Sequence, residues 1–130
     1  YASSITVVSD FREVPNQQLI PGQVQEVFLN IILNARDAMP EGGTINIQTY
    51  TEEDKNFVVF EDVGEGISPE NMKHLFEPFF STKKKTNKAG TGLGLAMSYQ
   101  IVQRHNGDIL VNSVLGKGTI FRVVFPILKE

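Results

Sequence analysis

The sequence lacks cysteine altogether, which excludes both a disulfide framework and a thiolate metal site. It also lacks any apolar run near the about 20 residues that a membrane-spanning helix needs, and it carries no recognisable signal peptide. These absences agree with a reducing compartment, so we expect the chain to be cytoplasmic. Because the chain starts at Tyr1 rather than at methionine, we expect a fragment of a longer protein, which could itself be membrane-anchored.

Charge of either sign is also sparse. Charged residues make up 21% of the chain and sum to a formal charge of −3. This balance gives no broad attraction to nucleic acid or to an acidic membrane, so neither is an expected partner. A local exception is the basic cluster of residues 83–85 and Lys88. With 41% apolar residues, the chain has enough material for the core of one domain over residues 1–130.

Hydrophobic periodicity and the positions of glycine and proline predict eight elements. Strands are predicted over residues 4–8, 44–51, 56–63, 108–114 and 119–125. Helices are predicted over residues 23–39, with a start that could reach back to Pro21, over residues 69 to 74 or 75 after a Ser68 cap, and over residues 93–105. Residues 76–92 show no clear period and are interpreted as a long loop or lid.

Pairs of strands separated by helices, without strict alternation, predict an α+β fold. We expect a two-layer α/β sandwich, with a mixed but mostly antiparallel sheet and about three helices on one of its faces.

The first predicted helix carries one polar strip on an otherwise apolar cylinder. Leu29, Ile32 and Leu33 extend its apolar surface around much of the circumference, so we expect the helix to be well buried. At about 100° per residue, the polar strip is roughly 80° wide. Its members are Gln23, Glu26, Asn30, Asn34 and Asp37. Buried asparagines need partners, and their amide oxygens suit a hard cation such as Mg²⁺; a solvated strip is the alternative interpretation.

The strand over residues 56–63 runs into the sequence Glu61-Asp62-Val63-Gly64-Glu65-Gly66-Ile67. A carboxylate at the end of a strand can accept a hydrogen bond from the 6-amino group of adenine, whereas guanine presents an acceptor oxygen at that position. Glycines leave bare backbone, against which a flat ring can lie. A structural turn with a surface aspartate is the competing interpretation.

Gly90, Gly92 and Gly94 alternate with other residues directly before the last predicted helix. Backbone N–H groups at such a helix start, together with the helix dipole, suit the binding of a phosphate chain. An ordinary glycine-rich helix start explains the same pattern. The spacing differs from a dinucleotide-binding fingerprint, and the pair Gly116-Lys117 lacks the P-loop pattern.

In order and spacing, these motifs resemble the asparagine, first glycine, phenylalanine and second glycine boxes of the Bergerat-type ATP-binding fold. More narrowly, residues 23–126 are similar to the catalytic ATP-binding domain of bacterial two-component sensor histidine kinases. The resemblance is carried by Asn30-x-x-x-Asn34-Ala35-x-Asp37-Ala38, Asp62-x-Gly64-x-Gly66-Ile67, Phe76-Glu77-Pro78-Phe79-Phe80 and Gly90-Thr91-Gly92-Leu93-Gly94-Leu95.

The resemblance implies that ATP and Mg²⁺ are bound. Asp62 would bind the adenine amino group, Asn34 would coordinate Mg²⁺ with help from Asn30, and Lys83 would reach the phosphates from a mobile lid over residues 76–89. Asn30, Asn34 and Lys83 are thus the predicted catalytic residues. The other predicted nucleotide-binding residues are Asp37, Gly64, Gly66, Ile67, Phe76, Phe80, Gly90, Thr91, Gly92, Leu93, Gly94, Leu95 and Thr119.

The resemblance also implies a phosphoacceptor histidine on a separate dimerisation domain of the same protein, with a response regulator receiver domain as the next partner. His74 and His105 are interpreted as structural rather than phosphoaccepting. We expect the chain alone to be monomeric and its parent protein to be a homodimer.

Three alternatives stay open. One is an ATP-driven conformational clamp, which in related proteins has a water-activating glutamate where this chain has Asn30. The others are a serine-kinase regulator of sigma factors with a similar fold and a non-catalytic nucleotide-sensing module.

Overall fold

The computed structural model describes residues 5–11, 21–77 and 94–127. Within these ranges the chain forms five strands and three helices. In chain order they are β1 (Ile5–Phe11), α1 (Pro21–Asp37), β2 (Gly43–Glu52), β3 (Lys55–Asp62), α2 (Pro69–Met72), α3 (Gly94–Arg104), β4 (Asp108–Val114) and β5 (Gly118–Pro126).

The five strands form one sheet in the order β1-β2-β3-β5-β4. β1 runs parallel to β2, and every other neighbouring pair is antiparallel. β2 and β3 form a tight hairpin, in which Glu53 and Asp54 have φ angles of 52° and 63°. Two central residues with positive φ match the right-handed twist of the flanking strands. The predicted α+β class and the mixed, mostly antiparallel sheet are confirmed.

The core lies between the inner face of the sheet and the helices. Inward-facing residues recur at every second position, as with Ile45 and Ile47 of β2 and Phe121, Val123 and Phe125 of β5. From α1, the buried residues are Val24, Val27, Ile31 and Ala35, whose spacing defines one helical face. Burying this face against the sheet holds α1 in position.

The expectation that α1 would be well buried is correct for one face of the helix only. Leu29 lies 54% exposed on the side away from the sheet, while Ile32 and Leu33 are half-buried. The helix therefore has one packed face and one face in contact with solvent, which a single layer of helices on a sheet provides.

Most predicted element ends lie within two residues of the observed ones, and the differences at β1, α1 and α2 have clear reasons. β1 extends to Phe11 because its parallel pairing with β2 continues to Thr49. α1 ends at Asp37 because Met39 donates its N–H to the Arg36 carbonyl, in an i−3 bond, at 3.1 Å.

α2 is shorter than predicted. The Ser68 hydroxyl caps it by accepting from the Asn71 N–H at 3.2 Å, as expected. Beyond Met72, however, the chain continues in turns with i−3 bonds, such as His74 N–H to the Asn71 carbonyl at 3.0 Å. α3 is observed over Gly94–Arg104; Leu93 lies outside the described residues, and His105 belongs to the following turn.

In the described ranges, no helix is long and apolar enough to cross a membrane.

Candidate functional site

Asp62 is a carboxylate buried at the last position of β3. It is 5% exposed and lies opposite Ile45 of β2 and Thr119 of β5. Its Oδ1 accepts a hydrogen bond from the Gly64 N–H at 2.9 Å. Burial raises the pKa of Asp62 above its usual 3.8, hydrogen bonding from the backbone of Gly64 and Thr119 opposes that rise, and the charge of Glu61 adds to it.

A carboxylate can accept about four hydrogen bonds. Two backbone hydrogen bonds, from Gly64 and Thr119, leave Asp62 with unused acceptor capacity in a low-dielectric site, where a donor from a ligand would be bound strongly.

The loop that follows β3 is fastened to the end of α1. Glu65 donates its N–H to the Ala38 carbonyl at 3.1 Å. A Cβ at Gly64 would lie 2.6 Å from that carbonyl oxygen, so the absence of a side chain permits this close approach. Gly64 is thus needed for packing within the protein, and its predicted contact with a nucleotide base stays a prediction.

On its other side, the same loop is fastened to the end of β4 and to the turn between β4 and β5. Gly116 donates its N–H to the Glu65 carbonyl at 2.7 Å, and Ile67 donates its N–H to Ser113 Oγ at 2.7 Å. Gly66 has a φ of 75° and its Cα packs against the Val114 carbonyl, which leaves no space for a side chain. Both attachments fix the loop beside Asp62.

Asn30 connects α1 to the first turn of α3. Its Nδ2 donates to the Gly94 carbonyl at 3.2 Å and to Ser98 Oγ at 3.1 Å. Both contacts use the amide nitrogen, which leaves the Asn30 amide oxygen as the atom available to other groups. The predicted site residues Asn30 and Gly94, 64 positions apart in the sequence, are therefore in contact.

Asn34 lies one helical turn after Asn30 and is half-buried. Over the part of the chain that the structure describes, its side chain makes no hydrogen bond. Ala38, four residues further and directly after the end of α1, carries the carbonyl that holds the loop after Asp62. Asn34 thus lies about one helical turn from the point where the end of α1 meets the loop that follows Asp62.

Asp37 accepts from the neighbouring guanidinium of Arg36, with Oδ1 3.3 Å from Nε and 3.2 Å from Nη2. This contact accounts for part of the hydrogen-bonding capacity of Asp37. Its predicted contact with the nucleotide stays a prediction.

Phe76 stacks on Tyr99 of α3, with ring centroids 4.9 Å apart. Ile67, Phe76 and Leu95 all pack against the hydrophobic core. The structure therefore gives all three predicted site residues a packing role, and Phe76 also contacts α3. Several other predicted residues lie outside the described ranges, namely Phe80, Lys83, Gly90, Thr91, Gly92 and Leu93.

The two histidines make local contacts. His74 Nδ1 lies 2.6 Å from Glu77 Oε2, and His105 Nδ1 lies 2.8 Å from the Ile101 carbonyl oxygen at the end of α3. These contacts agree with structural roles. No cluster of three or more His, Cys, Asp or Glu side chains suited to a metal occurs among the residues described.

Ser113 was missed by the sequence reasoning. Its hydroxyl contacts the Ile67 N–H, the Gly118 carbonyl and the Thr119 hydroxyl. The available signal was a serine at an inward-facing position of β4, in line with the core residues Ile109 and Val111. A polar residue continuing an apolar face indicates a buried hydrogen-bonding role.

Residues 20–129 match the family model for the histidine kinase-, DNA gyrase B- and HSP90-like ATPases. The chain belongs to this family, and the resemblance inferred from the sequence is confirmed.

Sporulation kinase E of Bacillus subtilis (strain 168) is 39% identical over 116 residues, covering 88% of this chain and 15% of that protein. Sporulation kinase C of the same organism is 36% identical over 130 residues, covering 98% of this chain and 29% of that protein. The solved mycobacterial sensor histidine kinase MprB is 27% identical with a TM-score of 0.77, covering 94% of this chain and 81% of that one. The chain thus spans less than a third of either curated relative.

Proposed function

We propose that the chain is the catalytic ATP-binding domain of a sensor histidine kinase, which binds ATP with Mg²⁺ and donates the γ-phosphate to a histidine. The observation that carries the proposal is the buried, ionisable Asp62 at the end of a central strand, with acceptor capacity left for a ligand. The family and the names of the relatives support the same function.

Adenine is the base that suits this carboxylate. Its 6-amino group donates a hydrogen bond, and an ionised Asp62 can only accept. The 6-oxo group of guanine would meet the carboxylate as a second acceptor and leave both groups unsatisfied in a buried site. Asp62 therefore selects ATP over GTP in this proposal.

Magnesium suits the two asparagines. Mg²⁺ takes oxygen ligands and usually keeps several waters, with few protein ligands beside the phosphates. The half-buried Asn34 amide makes no hydrogen bond within the described residues, and Asn30 uses its nitrogen for α3. We assign Asn34 as the metal ligand and Asn30 as its helper. The bound ion would neutralise phosphate charge, while this chain orients the nucleotide.

Asn30 also favours transfer over hydrolysis. An amide cannot take a proton from water, and this one is held by Gly94 and Ser98. The acceptor in this proposal is a histidine on the dimerisation domain of the same protein. A response regulator receiver domain is the next partner. The domain acts in the cytoplasm, whether or not its parent protein is anchored in a membrane.

The test is transfer from ATP labelled at the γ-phosphate, using a longer version of the protein that includes the acceptor domain. We expect label on the protein that is lost in acid and kept in base, as for phosphohistidine. The Asp62→Asn variant should show much less label at the same ATP concentration. Release of inorganic phosphate without labelled protein would contradict the kinase and support the conformational clamp.

A further inference from the structure

Ser113 lies next to the candidate base site without belonging to any of the four sequence motifs. Its hydroxyl oxygen is 2.7 Å from the Ile67 nitrogen, 2.9 Å from the Gly118 carbonyl oxygen and 2.8 Å from Thr119 Oγ1. These three groups belong to the loop after β3 and to the first two residues of β5. The Ser113 hydroxyl, itself on β4, therefore connects β4 to the loop after β3 and to β5 beside Asp62.

The hydrogen atoms of these contacts can be assigned by counting. A serine hydroxyl has one proton to donate and can accept two. The Gly118 carbonyl has no proton, so the Ser113 proton lies in that bond. The Ile67 N–H is the donor in its bond to Ser113. The remaining contact is then a hydrogen bond that the Thr119 hydroxyl donates to Ser113.

This direction decides what Thr119 can offer to a ligand. Thr119 is 4% exposed and faces the same side of the sheet as Asp62, its partner in the register of β3 and β5. Once its proton is committed to Ser113, the Thr119 oxygen can only accept a hydrogen bond. Asp62, when ionised, also only accepts.

We propose that Ser113 is a positioning residue for base selection, because it fixes the Thr119 hydroxyl as an acceptor beside Asp62. This inference rests on the proposed binding of a purine nucleotide at Asp62. Two acceptors side by side match the amino group at position 6 of adenine and repel the oxo group of guanine. Without Ser113, the Thr119 hydroxyl can rotate and donate its proton to that oxo group.

The test is the ratio of ATP to GTP affinity, measured for the 130-residue chain by displacement of trinitrophenyl-ATP. In the Ser113→Ala variant we expect the ratio to fall about tenfold, the effect of one hydrogen bond exchanged for another. Loss of packing or of loop order alone would weaken both nucleotides together and leave the ratio unchanged. An unchanged ratio, with ATP still bound, would overturn the role of Ser113.

Three variants complete the test. Ser113→Thr keeps the hydroxyl and should keep the wild-type ratio. Ser113→Cys fills the same space with a weak donor and acceptor, and should lower the ratio even if the alanine variant fails to fold. Thr51→Val removes a hydroxyl that donates to Asn56 Oδ1 at 2.8 Å, at the other end of the sheet, and should leave the ratio unchanged.

A double-mutant cycle separates Ser113 from its neighbour. If Ser113 acts through the Thr119 hydroxyl, then Ser113→Ala should not alter the ratio further in a Thr119→Val background. An independent further loss would overturn the proposed route through Thr119. A wild-type chain that binds neither nucleotide would overturn the proposed function itself, and with it this inference.

Discussion

β3 carries a buried polar side chain near each of its ends, and the two side chains differ in charge and in hydrogen bonding. Asn56, 4% exposed, is neutral and accepts from the Thr51 hydroxyl at 2.8 Å. Asp62, 5% exposed on the same face of the strand, is a carboxyl group whose pKa is raised by burial. A neutral amide is inexpensive to bury when it is hydrogen-bonded, whereas a carboxylate carries a desolvation penalty.

The contrast supports the proposal that the Asp62 end of β3 is the functional end. A structural role at position 62 would be served by an amide, as it is at position 56. An ionisable group with a perturbed pKa, kept in a buried site where an amide would suffice, favours a role in binding or catalysis. The most direct test of this comparison is to exchange the amide and the carboxylate between positions 56 and 62.

The largest effect is expected when a carboxylate replaces the amide at position 56, at the other end of β3 from Asp62. Asn56→Asp buries a carboxylate with no ligand to repay its desolvation, so the free energy of unfolding should fall by about 2 kcal/mol or more at neutral pH. Urea denaturation measures this loss, which should shrink in acid as the new carboxyl group takes up a proton. Wild-type stability at neutral pH would show that this end tolerates charge equally well.

Placing a neutral amide at position 62 should separate the effect on ATP binding from the effect on stability. Asp62→Asn should weaken ATP binding about 10- to 150-fold, the scale of a hydrogen bond to a charged group, measured by calorimetry. Its free energy of unfolding should stay the same or rise, because the desolvation penalty is removed. The matched control is Glu61→Gln, which removes an exposed charge from the neighbouring position and should leave ATP affinity nearly unchanged. Equal affinity in the Asp62→Asn variant would remove Asp62 from the base site.

The loop beside Asp62 can also be disrupted at its contact with the end of α1. A methyl group in Gly64→Ala would lie 2.6 Å from the Ala38 carbonyl oxygen, so we expect a loss of about 1–3 kcal/mol in stability, with weaker ATP binding. In the control, Gly22→Ala, the added methyl group meets nothing within 4 Å and should raise helix stability. Similar thermal midpoints for the two variants would contradict a tight contact at Gly64.

The smallest expected effect is the pH dependence of the desolvation penalty at Asp62. Because burial raises the pKa of Asp62, the native state takes up a proton at higher pH than the unfolded chain does. The stability that the protonated group provides is therefore present in acid and lost as pH rises through the raised pKa. Urea denaturation between about pH 4 and pH 7 should show the advantage of Asp62→Asn over wild type growing with pH. An advantage that stays constant would mean that Asp62 titrates normally.

Local patterns predicted much of this molecule. Alternation and turn residues predict the strands, and the pattern places Asp62 at a strand end, where its contact with a ligand stays a prediction. The observed register adds that Thr119 lies opposite Asp62.

What the sequence could not predict depends on contacts between distant segments. Asn30 meets Gly94 across 64 positions, and Ile67 meets Ser113 across 46. Both contacts depend on how the helices and strands pack together, and residue spacing along one element does not contain that information. Gly64 illustrates the same limit, because the sequence pattern does not show that a Cβ there would lie 2.6 Å from the Ala38 carbonyl oxygen.

The central claim is that the buried end of β3 binds the adenine of ATP. Calorimetric titration of ATP and of GTP into the 130-residue chain, each with Mg²⁺ and with a chelator, tests it most directly. We predict binding of ATP that Mg²⁺ strengthens, with much weaker binding of GTP. Equal affinity for the two nucleotides, or binding of neither, would contradict the claim.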